Sequence, residues 1–166
     1  EQNFKQYLYR INRKTALLIS LCCKLGAMAC KAHSRGIWIM STYGHCLGIA
    51  FQIVDDILDI TADPKVLGKP VGNDVRQGII TLPMIFALKD PKIAERLKEL
   101  LASDQKTEDE VQEAVALIKQ SDGIAKSNEI VQRYIKKGIK NLSELPDIPA
   151  KGALIELAEF VGERSY

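Results

Sequence analysis

Three aspartates close a long apolar run, Phe51-Gln52-Ile53-Val54-Asp55-Asp56-Ile57-Leu58-Asp59-Ile60. At about 100° per residue, Asp55 and Asp59 share a helix face, Asp56 stands on its shoulder and Gln52 lies one turn earlier. Carboxylates so placed repel one another, sit among apolar neighbours and approach the negative end of the helix dipole. A hard cation relieves all three penalties. Mg²⁺ in particular takes one or two protein carboxylates and completes its shell with water and phosphate oxygens, so the chemistry implied is the handling of a diphosphate. The competing reading is a solvated edge where the helix leaves a bundle. It leaves Ile53, Val54, Ile57, Leu58 and Ile60 around the acids unexplained.

Two further segments supply cations. Leu67-Gly68-Lys69-Pro70-Val71-Gly72-Asn73-Asp74 combines glycines, which let backbone approach an anion, with a lysine suited to phosphate. Lys14-Thr15 sets a lysine and a hydroxyl at the entry of an earlier apolar run, where the lysine could also simply snorkel.

The elements that must position these residues read as helices throughout, since no sustained alternation or tight hairpin signal occurs. The pattern predicts a first helix over 3–33, a break at Ser34-Arg35-Gly36, and a second helix over 37–60. The second is apolar nearly all round and so belongs in the middle of a bundle. Thr61 to Ile79 carries Asp63-Pro64, Gly68, Pro70, Gly72 and Gly78 and reads as a long loop. Shorter helices follow over 82–88, from Asp90-Pro91 to 101, from a capping box at Thr107-Glu108-Asp109-Glu110 to 120, over 123–142, and over 151–162. The expectation is an all-α bundle of roughly seven helices.

Bulk properties exclude other classes. With 166 residues there is room for one ordinary domain. Hydrophobic residues at 46% and charged residues at 27% are globular proportions. A formal charge of +2 offers no field for nucleic acid or an acidic membrane. The run from Gly36 to Ile60 is interrupted by His45, Gln52 and the aspartates, so it makes a poor membrane span. Cys22, Cys23, Cys30 and Cys46 lack metal-ligand spacing and read as reduced core cysteines of a cytoplasmic protein. His33 and His45 read as structural, and Trp38 and the tyrosines as core or interface residues.

Taken together, these motifs resemble the trans-polyprenyl diphosphate synthases. That family's second aspartate-rich motif appears as Gly48-Ile49-Ala50-Phe51-Gln52 through Asp59, its lysine-threonine pair as Lys14-Thr15, and its glycine-lysine loop as Gly68-Lys69-Pro70 running on to Thr81-Leu82-Pro83. The likeness extends over essentially the whole chain, residues 1–166, as the C-terminal portion of the isoprenoid synthase fold. It is strongest to bacterial long-chain enzymes such as the catalytic component of a heptaprenyl diphosphate synthase.

The resemblance implies a Mg²⁺-dependent condensation of isopentenyl diphosphate with an allylic diphosphate, serving isoprenoid or quinone side-chain synthesis. Asp55, Asp56 and Asp59 would hold the metal, Lys14 and Lys69 would contact the diphosphate, and Thr15, Phe51 and Gln52 would line the reacting end. It also implies a homodimer, or a heterodimer with a second synthase subunit. Two features depart from the family pattern. The first aspartate-rich motif is absent, and Ile79 stands where many members carry a lysine. Glu1 rather than Met opens the chain, so an N-terminal half outside this sequence is expected, and the chain alone is expected to be inactive. The alternative reading is a non-catalytic subunit that binds magnesium diphosphate or a partner helix.

Overall fold

The computed structural model describes residues 3–62, 71–103 and 105–164. Among these the regular elements are all helical, as expected: α1 (Phe4–Ile11), a π-helical turn (Asn12–Ala16), α2 (Leu17–Ala29), α3 (Ser34–Thr61), α4 (Asn73–Arg76), α5 (Leu82–Ala87), α6 (Ala94–Ala102), α7 (Glu108–Gln120), α8 (Gly123–Leu142) and α9 (Pro149–Glu163).

The described residues divide into two compact units, one drawn from 1–7 and 55–129, the other from 8–54 and 130–164. In the first, a core of Ile60, Val75, Met84, Leu97, Val111 and Ile118 is buried. Burial of each such side chain contributes about 1.5–3 kcal/mol. Thr107 accepts the amide of Glu110 while the Glu110 carboxylate accepts the amide of Thr107, so the expected capping box starts α7. Pro83 sits in the first turn of α5, where its missing amide costs nothing. Gly123, at the start of α8, lies so near α5 that a Cβ there would come within 2.4 Å of the Pro83 carbonyl oxygen.

In the second unit, Tyr43 and Cys46 of α3 are buried. The Tyr43 hydroxyl donates to the Leu154 carbonyl of α9 at 2.7 Å, and Gln132 Nε2 of α8 donates to the Gly162 carbonyl at 3.1 Å. α3 passes the length and composition test for a membrane span, but 61% of its most apolar window is buried inside the protein. A bundle's core helix has this character, and α3 is buried as its all-round apolar pattern requires.

Several boundaries differ from the sequence expectation. The first helix stops at Ala29 because Lys31 adopts a left-handed φ of 56°. Ser34 then opens α3 rather than breaking the chain, with His33 Nδ1 accepting the Gly36 amide. Residues 91–93 form a turn, so the next helix starts at Ala94. The cysteine reading holds only for Cys46: Cys22 and Cys30 are exposed, because half of α2 faces outward. Trp38 is likewise exposed, with the Arg35 guanidinium 4.3 Å from its ring centroid. The loop expected over 61–79 lies partly outside the described residues, and its far end contains α4.

Candidate active site

The chain from Ile11 to Leu17 is helical but locally overwound by the π-turn Asn12–Ala16, which contains both Lys14 and Thr15. A π-turn costs hydrogen-bond geometry and persists where a functional side chain must be aimed. Here three side-by-side contacts with α3 fix it. His45 Nε2 lies 3.0 Å from Asn12 Oδ1. Burial, then the Lys137 charge, lowers the imidazole's pKa from its ordinary value. The neutral ring donates this bond, the roles following from the acceptor opposite. Gly48 meets the turn so closely that a Cβ there would fall 2.6 Å from Ala16 Cα. Thr15 Oγ1 donates to Gln52 Oε1 at 2.6 Å. Positions 45, 48 and 52 are spaced to share one face of α3.

Gln52 is buried, at 4% exposure, whereas Lys14 is exposed beside it in sequence on the turn. Phe51 is half-buried and has the Arg164 guanidinium 5.6 Å from its ring centroid.

The three aspartates of α3 meet different surroundings. Asp55 is exposed. Asp56 is 5% exposed and its Oδ2 accepts the Tyr7 hydroxyl at 2.8 Å. Asp59 accepts two backbone amides, Asn73 at Oδ1 (3.1 Å) and Asp74 at Oδ2 (2.9 Å), while its own carbonyl accepts the Gly72 amide at 2.7 Å. Gly72 has φ of 78°, and its Cα side is closed by Val111 and Val115, so this sharp return needs glycine. Burial raises the Asp59 pKa, opposed by the Asp74 and Asn73 amides and the Arg76 charge, and reinforced by Asp55.

The carboxylates thus share helix faces as the spacing required, but their oxygens are separately engaged. No group of three or more His, Cys, Asp or Glu side chains is close enough to hold a metal among the described residues. A closed protein cage is therefore not the arrangement present. The donor set suits an ion held by one or two carboxylates and completed by water and phosphate. Asp55 is open, and each Asp59 oxygen retains a lone pair beyond its amide partner.

Lys69 falls outside the described residues, as do Gly68 and Pro70. Ile79 is half-buried, with its amide bound to the Asp74 carbonyl at 2.8 Å. A cleft of about 960 Å³ lined by Phe4, Ile80, Ile85, Leu88 and Leu101, with Lys89 and Lys98, contains none of the expected site residues.

Tyr7, Asn12, His45 and Gly48 support this site and were not singled out from sequence. Tyr7 lies 49 residues from Asp56 and nothing local marks the pairing. The glycine of Gly48 was quoted within the motif, but its close approach to Ala16 shows only in three dimensions.

An all-helical chain with this aspartate-bearing central helix and lysine-threonine turn defines the isoprenoid synthase class. The family profile described as Polyprenyl synthetase matches residues 1–118, and the chain belongs to that family. It is 39% identical to the heptaprenyl diphosphate synthase component 2 of Bacillus subtilis over all of its own length and 47% of that protein's. It superposes with a TM-score of 0.93 on the crystal structure of heptaprenyl diphosphate synthase from Staphylococcus aureus, at 35% identity, covering 100% of this chain and 52% of that one. With the geranylgeranyl pyrophosphate synthase of Corynebacterium glutamicum, solved in complex with calcium and isoprenyl diphosphate, the TM-score is 0.88 at 34% identity, covering 96% of this chain and 50% of that one. The chain spans about half the length of these relatives.

Proposed function

We propose that this chain carries half of the active site of a trans-prenyltransferase that condenses isopentenyl diphosphate with an allylic diphosphate. The observation that carries the reading is the π-turn that binds Thr15 to Gln52 while leaving Lys14 open to solvent. The relatives named as prenyl diphosphate synthases supply the substrate class. Mg²⁺ would be held by Asp55, with Asp59 and Asp56 directly or through water. When bound, it would offset the negative charge of the departing diphosphate.

The chain's own residues divide the remaining work. Lys14 is an exposed cation for the diphosphate, and Lys69 is proposed for the same role on the strength of its glycine-flanked sequence. The Thr15 hydroxyl spends its proton on Gln52, so its oxygen presents lone pairs, the polarity that suits an allylic cation. Phe51 adds an apolar wall with a negative ring face. The apolar packing around Gln52 keeps bulk water from that end.

The account places the protein in the cytoplasm, in isoprenoid or quinone side-chain synthesis, and as one member of a homodimer or of a heterodimer with a second synthase subunit. The word "component" in the name of the Bacillus relative supports the second arrangement.

The test is to incubate the chain with Mg²⁺, farnesyl diphosphate and labelled isopentenyl diphosphate. No extended prenyl product is expected from the chain alone, while Mg²⁺-dependent binding of diphosphate is retained. Chelator-sensitive turnover by the 166-residue chain would contradict the half-site. Absence of diphosphate binding would contradict the function.

A further inference from the structure

α2 has two seams of very different character. The inner seam runs out of the π-turn through Ala16, Ser20 and Cys23, small residues that let α2 lie close against α3. Ser20 Oγ donates to the Ser41 carbonyl at 2.8 Å, and a Cβ on Gly44 would come within 2.8 Å of Cys23 Sγ. The outer seam is Leu18, Leu21, Leu25 and Met28. Its steps of three, four and three are the spacing by which one helix packs along another at a shallow angle.

These outer side chains are 65%, 48%, 52% and 49% exposed, with Leu17 beside them at 50%. No residue of Leu17–Ala29 is buried. Between Leu17 and Ala29 the only charged residue is Lys24. A helix apolar on both sides but covered on one has lost, or not yet met, a helix-scale neighbour.

We propose that the outer seam of α2 docks the half of the synthase fold that the relatives contain and this chain does not, through a helix bearing a matching apolar seam. This rests on the family reading. The length of the relatives argues for that occupant. The Staphylococcus enzyme superposes on this chain over its whole extent, and the chain accounts for only 52% of it, leaving a domain-sized remainder. The seam is also continuous with the π-turn that carries Lys14 and Thr15. Docking on α2 therefore brings the incoming half alongside the residues proposed to hold diphosphate.

The experiment co-expresses this chain with the portion of the Bacillus subtilis relative outside the matched 47%. A one-to-one complex is expected by light scattering after size exclusion. Leu18→Glu with Leu25→Glu should weaken it at least tenfold. Because both side chains are exposed in the free chain, the double variant should keep its circular dichroism. Phe160→Glu, at an equally exposed apolar position on α9, should leave the complex intact. Alkylation of Cys22, which is exposed next to Leu21, should slow in the complex.

No complex, or a complex indifferent to the seam substitutions, overturns the proposal. So does a self-associated dimer of this chain that cross-links through Cys22 and excludes the added half. Mg²⁺-dependent pyrophosphate binding is read in the same samples. Loss of the complex with binding kept defeats the docking proposal alone, and loss of binding with the complex kept defeats only the diphosphate reading.

Discussion

Thr15 Oγ1 and Gln52 Oε1 lie 2.6 Å apart, joining a π-turn to the central helix at the point where that helix turns from apolar to acidic. Thr15→Val keeps the shape and removes the donor, so the buried Gln52 carbonyl loses this partner. The expected loss is about 1–3 kcal/mol of stability, read by urea unfolding. An unchanged midpoint would mean that the bond has no energetic role.

Gly48→Ala should do more damage than its single methyl suggests. Its Cβ would meet Ala16 Cα at 2.6 Å, a backbone atom that cannot swing aside. Overpacking of about 1–3 kcal/mol is expected, with the π-turn displaced. Gly26→Ala, on the same helical arm with nothing within 4 Å of its Cβ, should instead stabilise by about 0.5–1 kcal/mol. Paired thermal melts check the opposite signs.

Tyr7→Phe removes the hydroxyl that donates to the buried Asp56 carboxylate. A hydrogen bond to a charged group is worth about 1.5–3 kcal/mol, and destabilisation in that range is expected by chemical unfolding. A neutral effect would show that Asp56 is satisfied without Tyr7.

Asp59 predicts a pH dependence. Its folded pKa is raised, chiefly by burial, so the folded state favours the protonated acid. Its contribution to stability is therefore present below the ordinary carboxylate value and is lost as pH rises through the raised folded value. Mg²⁺ needs the ionised form, so metal-dependent ligand binding should rise with pH over a window above the ordinary carboxylate range. Asp59→Asn should flatten both profiles. Unfolding titrations and binding isotherms across that window are the measurements.

Much of this was legible in the sequence because it is written in local chemistry. The Thr107–Glu110 box, Pro83 at a first turn and the span Gly123–Leu142 rest on contacts within a few residues. The acidic end of α3 was readable from helical spacing alone. The π-turn was not, since a shift of hydrogen-bond register leaves composition unchanged. Its nearest signal is the polar stretch Asn12-Arg13-Lys14-Thr15 interrupting an apolar pattern. The capture of Asp59 by amides 14 and 15 residues away, and of Asp56 by Tyr7, depends on tertiary closure. The apolar pattern of α2 reads as core from sequence. Its outer half is exposed because apolarity records what a helix packs against in its complete assembly.

The most direct test of the account is calorimetric titration of inorganic pyrophosphate into this chain, with and without Mg²⁺, in the wild type and in Asp55→Ala. Asp55 is exposed, so the variant should keep its helicity. The account predicts binding that requires Mg²⁺ and disappears in Asp55→Ala at unchanged circular dichroism. Binding that ignores Mg²⁺, or that survives the loss of Asp55, would contradict it.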